Sequence, residues 1–341
     1  MTAYKEIIKE LALTEEQLND KEIQKFVKDV AFRKQTGNWY QYWNGNGFIE
    51  INKKDGTSIR TVLDDKPYVA EFPENCDMNI SLKCTNGCQF CYEGCTPDGK
   101  HADLKKYLYD KNSFLYTLHE GTELALNGNQ PLHPDLDLLL GFCKERGILA
   151  NLTVNETTLM EYKLYLEHAL QEGLIHGIGV SPVTYSKEMI EFCMKHPTAV
   201  IHTIVGITTP EQYKSLQDKG LKILILGYKI FGRGESYLHT CKLFINLNAQ
   251  WLGENVKNFP KHFKVVSFDN LAIEQLNPKE WLGDEGWNKF YRGDDGSHTM
   301  YIDLVNETFA KNSIQARTNH KPIMNDIRDM LKEVQKEKQN G

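Results

Sequence analysis

The sequence predicts an α/β fold in which a parallel sheet curls toward a barrel, complete or partial. After Pro73, short apolar segments alternate with helical stretches of about ten to fifteen residues, and from the second segment onward they recur about every twenty to thirty residues, as in βαβ units. Six such repeats with right-handed crossovers form a curved sheet. The predicted strands are 76–83, 123–128, 149–155, 177–182, 200–206 and 222–228.

Helices are predicted between these strands, because the intervening stretches have helical patterns and several have Gly or Pro at their ends. They cover 102–119, 134–147, 157–172, 185–196 and 209–219. Beyond Gly232 the chain continues with another helical segment at 236–257, the apolar segments KVVSFD and MYIDLVN, and a charged helix from Pro322 to Lys338.

The N-terminal part has a different pattern. Residues 1–35 carry helical periodicity and predict two short helices, with Thr14 and Gln17 at capping-box spacing. Residues 38–62 alternate aromatic and β-branched residues between Asn-Gly and Asp-Gly turns, which predicts a structural antiparallel meander. We therefore divide the chain into an N-terminal extension (1–72), a core barrel (73–235) and a C-terminal α/β extension (236–341).

Composition narrows the function. The 341 residues are 40% hydrophobic and 25% charged, the usual mixture of a soluble globular protein. The net charge of −6 disfavours capture of a nucleic acid by the whole chain. No apolar run approaches the roughly 20 residues of a membrane span, and the first residues form a polar amphipathic pattern instead of a signal peptide. We expect a cytoplasmic protein without a membrane partner.

Cysteine spacing is the most specific feature of the sequence. Cys84, Cys88 and Cys91 are separated by three and then two residues, directly after the first predicted barrel strand. Random placement of the cysteines would give this triple with a probability of roughly 0.3%. Chance is therefore a poor explanation, and the three thiols indicate a site.

Three chemistries compete for these thiols. Structural zinc takes four ligands, commonly in two separated pairs, and no second pair follows in the sequence. Disulfides are disfavoured in a chain without an export signal, and three cysteines leave one unpaired. An iron–sulfur cluster needs soft thiolates on a short loop that contains glycine. Three ligands for four irons leave one iron open to a non-protein ligand, as suits catalysis.

The cysteine loop, with Phe90 before its last cysteine and Tyr92 after it, resembles that of the radical S-adenosylmethionine (radical SAM) superfamily. Three later segments also resemble that family, in the same order and at strand ends. Residues 127–134 (NGNQPLHP) resemble Gly-Gly-Glu-Pro-Leu-x-His-Pro, 152–155 (LTVN) resemble the third-strand Thr-x-Asn, and 177–181 (GIGVS) resemble the fourth-strand Ser motif. The resemblance covers roughly residues 70–235.

The resemblance implies a partial (β/α)6 TIM-type barrel with a [4Fe–4S] cluster on Cys84, Cys88 and Cys91. S-adenosyl-L-methionine (SAM) would chelate the open iron, and reductive cleavage would give a 5′-deoxyadenosyl radical that abstracts hydrogen from a substrate. A reductant such as flavodoxin or ferredoxin is implied as a partner. The residues expected to bind SAM are Tyr92, Gly128, Asn129, Asn155 and Ser181.

Asn127, Gly128 and Asn129 depart from the family pattern. They stand where the family usually has Gly-Gly-Glu, and they offer neutral amides in place of an acidic side chain. A carbonyl can still accept from the SAM ammonium, so SAM binding is retained as the expectation. The substitution indicates a divergent branch of the superfamily.

Other residues have both functional and structural interpretations. Cys95 is the candidate catalytic residue, as a hydrogen relay or a spare thiol. Lys229 and Arg233 suit an anionic substrate or the SAM carboxylate, or else a solvated basic loop. His133 is expected to cap or pack against the following helix. Core burial is predicted for Cys76, near the start of the first barrel strand, and for the scattered Cys143, Cys193 and Cys241. The lack of clustering of these last three argues against a second, auxiliary iron–sulfur cluster.

The substrate is predicted to be a peptide or other small molecule, because the segment at 127–134 resembles the branch rich in peptide modifiers. A nucleotide or nucleic-acid base is the rival substrate. The alternative outside enzymology is a zinc-stapled binding module that uses the barrel as a scaffold.

Overall fold

The computed structural model describes residues 3–62 and 66–339. The chain divides into two compact units, Met1–Val69 and Ala70–Gly341. No helix in the described part of either unit is both long and apolar enough to cross a membrane.

The first unit contains helices and a three-stranded antiparallel sheet of order β1-β2-β3, so the predicted meander is confirmed. Its elements are α1 (Ala3–Glu10), α2 (Glu15–Leu18), α3 (Lys21–Thr36), β1 (Trp39–Asn44), β2 (Gly47–Asn52) and β3 (Ser58–Val62). We predicted two short helices in this region, and the structure has three. Thr14 forms the expected capping box with Gln17, but α2 ends after one turn and the side chain of Asp20 caps a separate α3.

The second unit is built on a mixed sheet that has ten strands among the described residues. In chain order they are β4 (Asn75–Asn79), β5 (Glu123–Asn127), β6 (Leu149–Asn155), β7 (Gly177–Ser181), β8 (Ala199–Ile204), β9 (Lys222–Leu226), β10 (Val265–Phe268), β11 (Thr299–Asp303), β12 (Thr308–Ala310) and β13 (Lys321–Pro322). Strands β4 to β10 pair in sequence order, all parallel. All six predicted barrel strands are confirmed, and β10 adds a seventh to the series.

The sheet is open. β11 pairs in parallel with β4, where Tyr301 lies opposite Asp77, and β12 and β13 follow as antiparallel strands. Among residues 3–62 and 66–339, the two outermost strands, β10 and β13, do not pair with each other. The mixed α/β architecture with a large parallel sheet is as predicted, and the complete barrel is excluded.

Helices of the second unit follow most strands. They are α4 (Leu104–Leu108), α5 (Leu136–Glu145), α6 (Glu156–Glu161), α7 (Lys163–Gln171), α8 (Lys187–Lys195), α9 (Pro210–Leu216), α10 (Arg233–Asn255), α11 (Asn270–Leu276), α12 (Lys279–Phe290) and α13 (Ile327–Gln339). The predicted helix at 102–119 is wrong. It is divided into α4 and a 3₁₀ turn (Phe114–Thr117). The side chain of Asp110 accepts the Asn112 N–H in the break, and Ser113 caps the 3₁₀ turn by accepting the Leu115 N–H.

Alternation along the strands separates a core from a polar face. One set of side chains is buried in the main core: Met78, Leu126, Leu152, Val180, Ile201 and Ile223. The intervening residues lie on the opposite face of the sheet, because successive strand side chains alternate. Among them are Asp77, Asn127, Thr153, Asn155 and Ser181, all of which keep some exposure to solvent. The polar face therefore offers functional groups near the carboxyl ends of β4 to β7.

Candidate functional site

The three-cysteine loop lies between β4 and α4, at the carboxyl end of β4. Backbone hydrogen bonds shape it: Cys84 N–H donates to the Thr96 carbonyl (2.9 Å), and Cys91 N–H donates to the Cys88 carbonyl (3.2 Å). Cys84, Cys88 and Cys91 are half-buried, whereas Cys95 is buried. The loop thus presents three partly accessible thiols and covers a fourth.

The thiols of this loop interact. Burial raises the pKa of the Cys88 thiol, and the neighbouring Cys91 and Cys84 raise it further. A hydrogen bond from the Cys95 thiol lowers the pKa of Cys91 to about 5, and the Cys95 backbone and Arg233 lower it as well, against the effect of burial. The same thiol–thiol hydrogen bond raises the pKa of Cys95. The hydrogen bond between the two thiols therefore favours the thiolate form of Cys91.

Asn155 joins the end of β6 to the cysteine loop. Its side-chain oxygen accepts the Thr157 N–H (2.7 Å) and caps α6, while its Nδ2 donates to the sulfur of Cys88 at 3.6 Å. Asn155 also lies opposite Ser181 at the end of β7. The two strand-end residues expected to bind SAM are thus neighbours, and one of them contacts a thiol of the triad.

The segment after β5 packs against the same loop. Asn129 is buried and its Oδ1 accepts from the Thr158 hydroxyl (3.2 Å), which in turn accepts from Asn86 of the cysteine loop (3.0 Å). Gly128 has φ +96°, and a Cβ there would lie 2.3 Å from the Ser81 carbonyl oxygen. Only glycine fits this approach, so Asn129 and Gly128 fix the position of the segment relative to the triad.

Tyr92 faces the C-terminal part of the chain. The Lys229 ammonium lies 4.1 Å from the centre of the Tyr92 ring and donates to the hydroxyl of Ser313 (2.9 Å). Burial raises the pKa of Tyr92 well above its ordinary value. Next to it, Glu93 forms an ion pair with Arg317 (2.7 Å). Tyr92 therefore anchors the cysteine loop to residues that follow β9 and β12.

Arg233 holds the cysteine loop from the segment after β9. Its Nε donates to the Cys88 carbonyl (2.9 Å), its Nη1 to the Cys95 carbonyl (2.8 Å), and its backbone N–H to the Cys91 carbonyl (3.0 Å). The preceding Gly232 has φ +51°, and a Cβ on it would lie 2.6 Å from the Tyr92 carbonyl oxygen. Arg233 is thus tied to the loop and is not the solvated residue that was one expectation from the sequence. Its hydrogen bonds go to neutral carbonyls, so its role as a counter-charge stays a prediction.

Two acidic residues near the site have no signal in the sequence pattern. The buried carboxylate of Glu156 accepts five hydrogen bonds from residues 183–186. Burial alone would raise the pKa of Glu156, but these hydrogen bonds outweigh it and hold the pKa at about 2. Asp77, on the polar face of β4, has an exposed side chain, yet desolvation by the protein around it raises its pKa to about 6, against the pull of Lys229.

The remaining cysteines and His133 are structural. Cys76, Cys143 and Cys193 are buried as predicted, and burial raises the pKa of each. Cys241 is only half-buried, at a non-helical position inside α10. His133 is buried, with Nε2 at 3.0 Å from the Ala102 carbonyl and Nδ1 accepting the Asp135 N–H, so it packs before α5 as expected. All eight cysteines are free thiols.

The chemistry of the donor set fits an iron–sulfur cluster. Cys84, Cys88 and Cys91 are half-buried, free thiols on one loop, and soft thiolates are the ligands of such clusters. Three protein ligands would leave one of four irons open. Among the described residues, no three His, Cys, Asp or Glu side chains are grouped as ligands of a single metal ion.

Comparison with known proteins gives a structural likeness. No protein-family model matches the chain, and no curated protein matches it in sequence. The structure of Streptococcus suis SuiB bound to S-adenosylmethionine matches with a TM-score of 0.54 and 13% identity, over 86% of each chain. A second structure of Streptococcus suis SuiB matches over the same shares, with a TM-score of 0.51 and 13% identity. At this identity the likeness shows a shared fold.

Proposed function

We propose that this chain is a radical SAM enzyme with a partial (β/α)6 barrel, in which Cys84, Cys88 and Cys91 hold a [4Fe–4S] cluster. One observation carries the proposal: three interacting thiols lie on one loop at the carboxyl end of β4, where enzymes of parallel α/β architecture place their active sites. The shared fold with SuiB, whose structure contains S-adenosylmethionine, supports it. When bound, the cluster and SAM supply reductive radical chemistry that removes a hydrogen atom from a substrate.

The chain's own residues would bind and orient SAM. The Gly128 carbonyl would accept a hydrogen bond from the SAM ammonium, a role that the missing acidic side chain cannot fill. The Ser181 hydroxyl, at the adjacent strand end, would bind ribose or carboxylate oxygens. The side-chain oxygen of Asn129 already accepts a hydrogen bond from Thr158, so we assign Asn129 a role in positioning the segment that binds SAM. Tyr92 contributes by holding the loop against Lys229 and Ser313, so we assign it a positioning role.

We propose a peptide or another small molecule as the substrate, because residues 127–134 resemble the branch of the family that is rich in peptide modifiers. A nucleotide is the rival substrate. A flavodoxin or ferredoxin is the proposed electron donor.

Anaerobic reconstitution with iron and sulfide tests the proposal. We expect a brown protein that binds about four irons per chain and cleaves SAM under dithionite to 5′-deoxyadenosine. Cys84→Ala, Cys88→Ala and Cys91→Ala should each remain folded and lose the colour. Cys241→Ser is the matched control and should keep it. A colourless protein that retains stoichiometric zinc and unfolds in the Cys84→Ala variant would establish the zinc-stapled module instead.

A further inference from the structure

Asn155 has a geometry that SAM binding alone does not explain. The orientation of its amide is fixed by the chain itself, because Oδ1 accepts the Thr157 N–H at 2.7 Å and leaves the NH₂ group on the other side. That NH₂ group lies 3.6 Å from the sulfur of Cys88, within the range of an N–H···S hydrogen bond. The cap therefore directs a donor at one thiol of the triad.

The Asn155 amide is held in place by the elements on either side of it. Asn155 is the last residue of β6 and the cap of α6, and the next residue, Glu156, is tied to Val183 and Ser186 by hydrogen bonds of 2.6 and 2.8 Å. A sheet end, a helix start and a buried carboxylate thus determine where the amide points. Such a support is what a positioning residue requires.

We propose that Asn155 is a positioning residue that raises the reduction potential of the cluster by donating a hydrogen bond to the Cys88 sulfur. The inference rests on the proposed function and adds a role for one of its residues. Reduction adds negative charge, part of which resides on the ligand sulfurs. A fixed N–H donor stabilises the reduced form more than the oxidised form. The residue acts through Cys88 and not on the substrate.

Two substitutions remove the NH₂ donor of Asn155 and keep an oxygen that can cap α6. Asn155→Asp keeps the shape and the capping oxygen but replaces the NH₂ group with a carboxylate oxygen, and Asn155→Ser keeps a capping oxygen without a donor that reaches Cys88. Both should shift the midpoint potential of the SAM-free cluster to more negative values. The shift should be larger for Asn155→Asp than for Asn155→Ser. The measurement is a redox titration of the reconstituted protein followed by electron paramagnetic resonance.

Thr209→Ala is the matched control, because Thr209 caps a different helix, α9, where its side-chain oxygen accepts the Gln212 N–H. It should lower thermal stability and leave the potential unchanged. An unchanged potential in both Asn155 variants overturns the inference and leaves Asn155 as a cap or SAM ligand. Loss of the cluster in both variants also overturns it, since a tuning residue is dispensable for assembly. Failure of the wild-type protein to form a cluster would instead contradict the proposed function.

Discussion

The guanidinium of Arg233 donates to the carbonyl of Cys88 at 2.9 Å, although 145 residues separate the two in sequence. The same side chain reaches the Cys95 carbonyl, and its backbone N–H reaches that of Cys91. The conformation of the triad loop therefore depends on the segment that follows β9.

Arg233→Lys should reduce cluster assembly. A lysine offers one point charge where arginine offers two fixed donors, so only one of the two carbonyls remains bound. We expect the iron content after reconstitution to fall to about half or less of the wild-type value, because the loop is no longer held at both ends. Arg328→Lys, which alters an exposed ion pair with Asp326, is the control. Full iron binding by the Arg233 variant would show that the loop is shaped without this residue.

Glu156→Gln should destabilise the protein. The amide keeps one acceptor but turns a donor toward backbone N–H groups, at a cost of about 2 kcal/mol. Because the pKa of Glu156 is lowered to about 2, its stabilisation is present above the unfolded pKa and is lost as the pH falls toward 2. Thermal denaturation at pH 7 and pH 3 should therefore show a larger difference between wild type and variant at pH 7. An equal difference at both pH values would refute this account.

Asp77→Asn should stabilise the protein at neutral pH. The folded pKa of Asp77 is raised to about 6, above its unfolded value, so ionisation of this carboxyl destabilises the native state as the pH rises from about 4 to 6. The variant should unfold at a higher temperature than wild type at pH 7.5, and the gap should shrink as the pH is lowered to 4. A gap that does not vary with pH would mean that Asp77 titrates normally.

Cys95→Ala should slow alkylation of Cys91 in the cluster-free protein. The Cys95 thiol lowers the pKa of Cys91 to about 5, whereas burial raises that of Cys88, so in the wild type Cys91 should react faster than Cys88 at pH 7. Replacing Cys95 by alanine removes the hydrogen-bond donor and raises the pKa of Cys91. The alkylation rate of Cys91 should then approach that of Cys88. Iodoacetamide labelling with fragment mass spectrometry measures both rates. Equal labelling of Cys91 in wild type and variant would exclude the thiol–thiol hydrogen bond.

Local patterns predicted the parallel sheet well, and they also define the cysteine triad, whose role as a metal site stays a prediction. The apolar segments that became β4 to β9 are short and bounded by turn residues, and the spacing of Cys84, Cys88 and Cys91 needs no knowledge of the fold. The open edge of the sheet was not determined by such patterns. It depends on β11 pairing with β4, a contact between distant parts of the chain.

Site residues whose role depends on tertiary contacts could not be predicted from the sequence for the same reason. Glu156 has an ordinary helical neighbourhood in sequence, and its partners at 183–186 come from another loop. Arg233 was noted as a basic residue, but its acceptors are backbone carbonyls, which every residue has. Neither periodicity nor composition reports a carbonyl's location.

The pairing of β4 with β11 sets an order of events during synthesis. A chain emerging from the ribosome presents Cys84, Cys88 and Cys91 long before Arg233 exists, and the ion pair of Glu93 with Arg317 spans 224 residues. Domains form once their last element has been translated, and contacts of large sequence separation form late. The thiols therefore remain uncovered until translation is nearly finished.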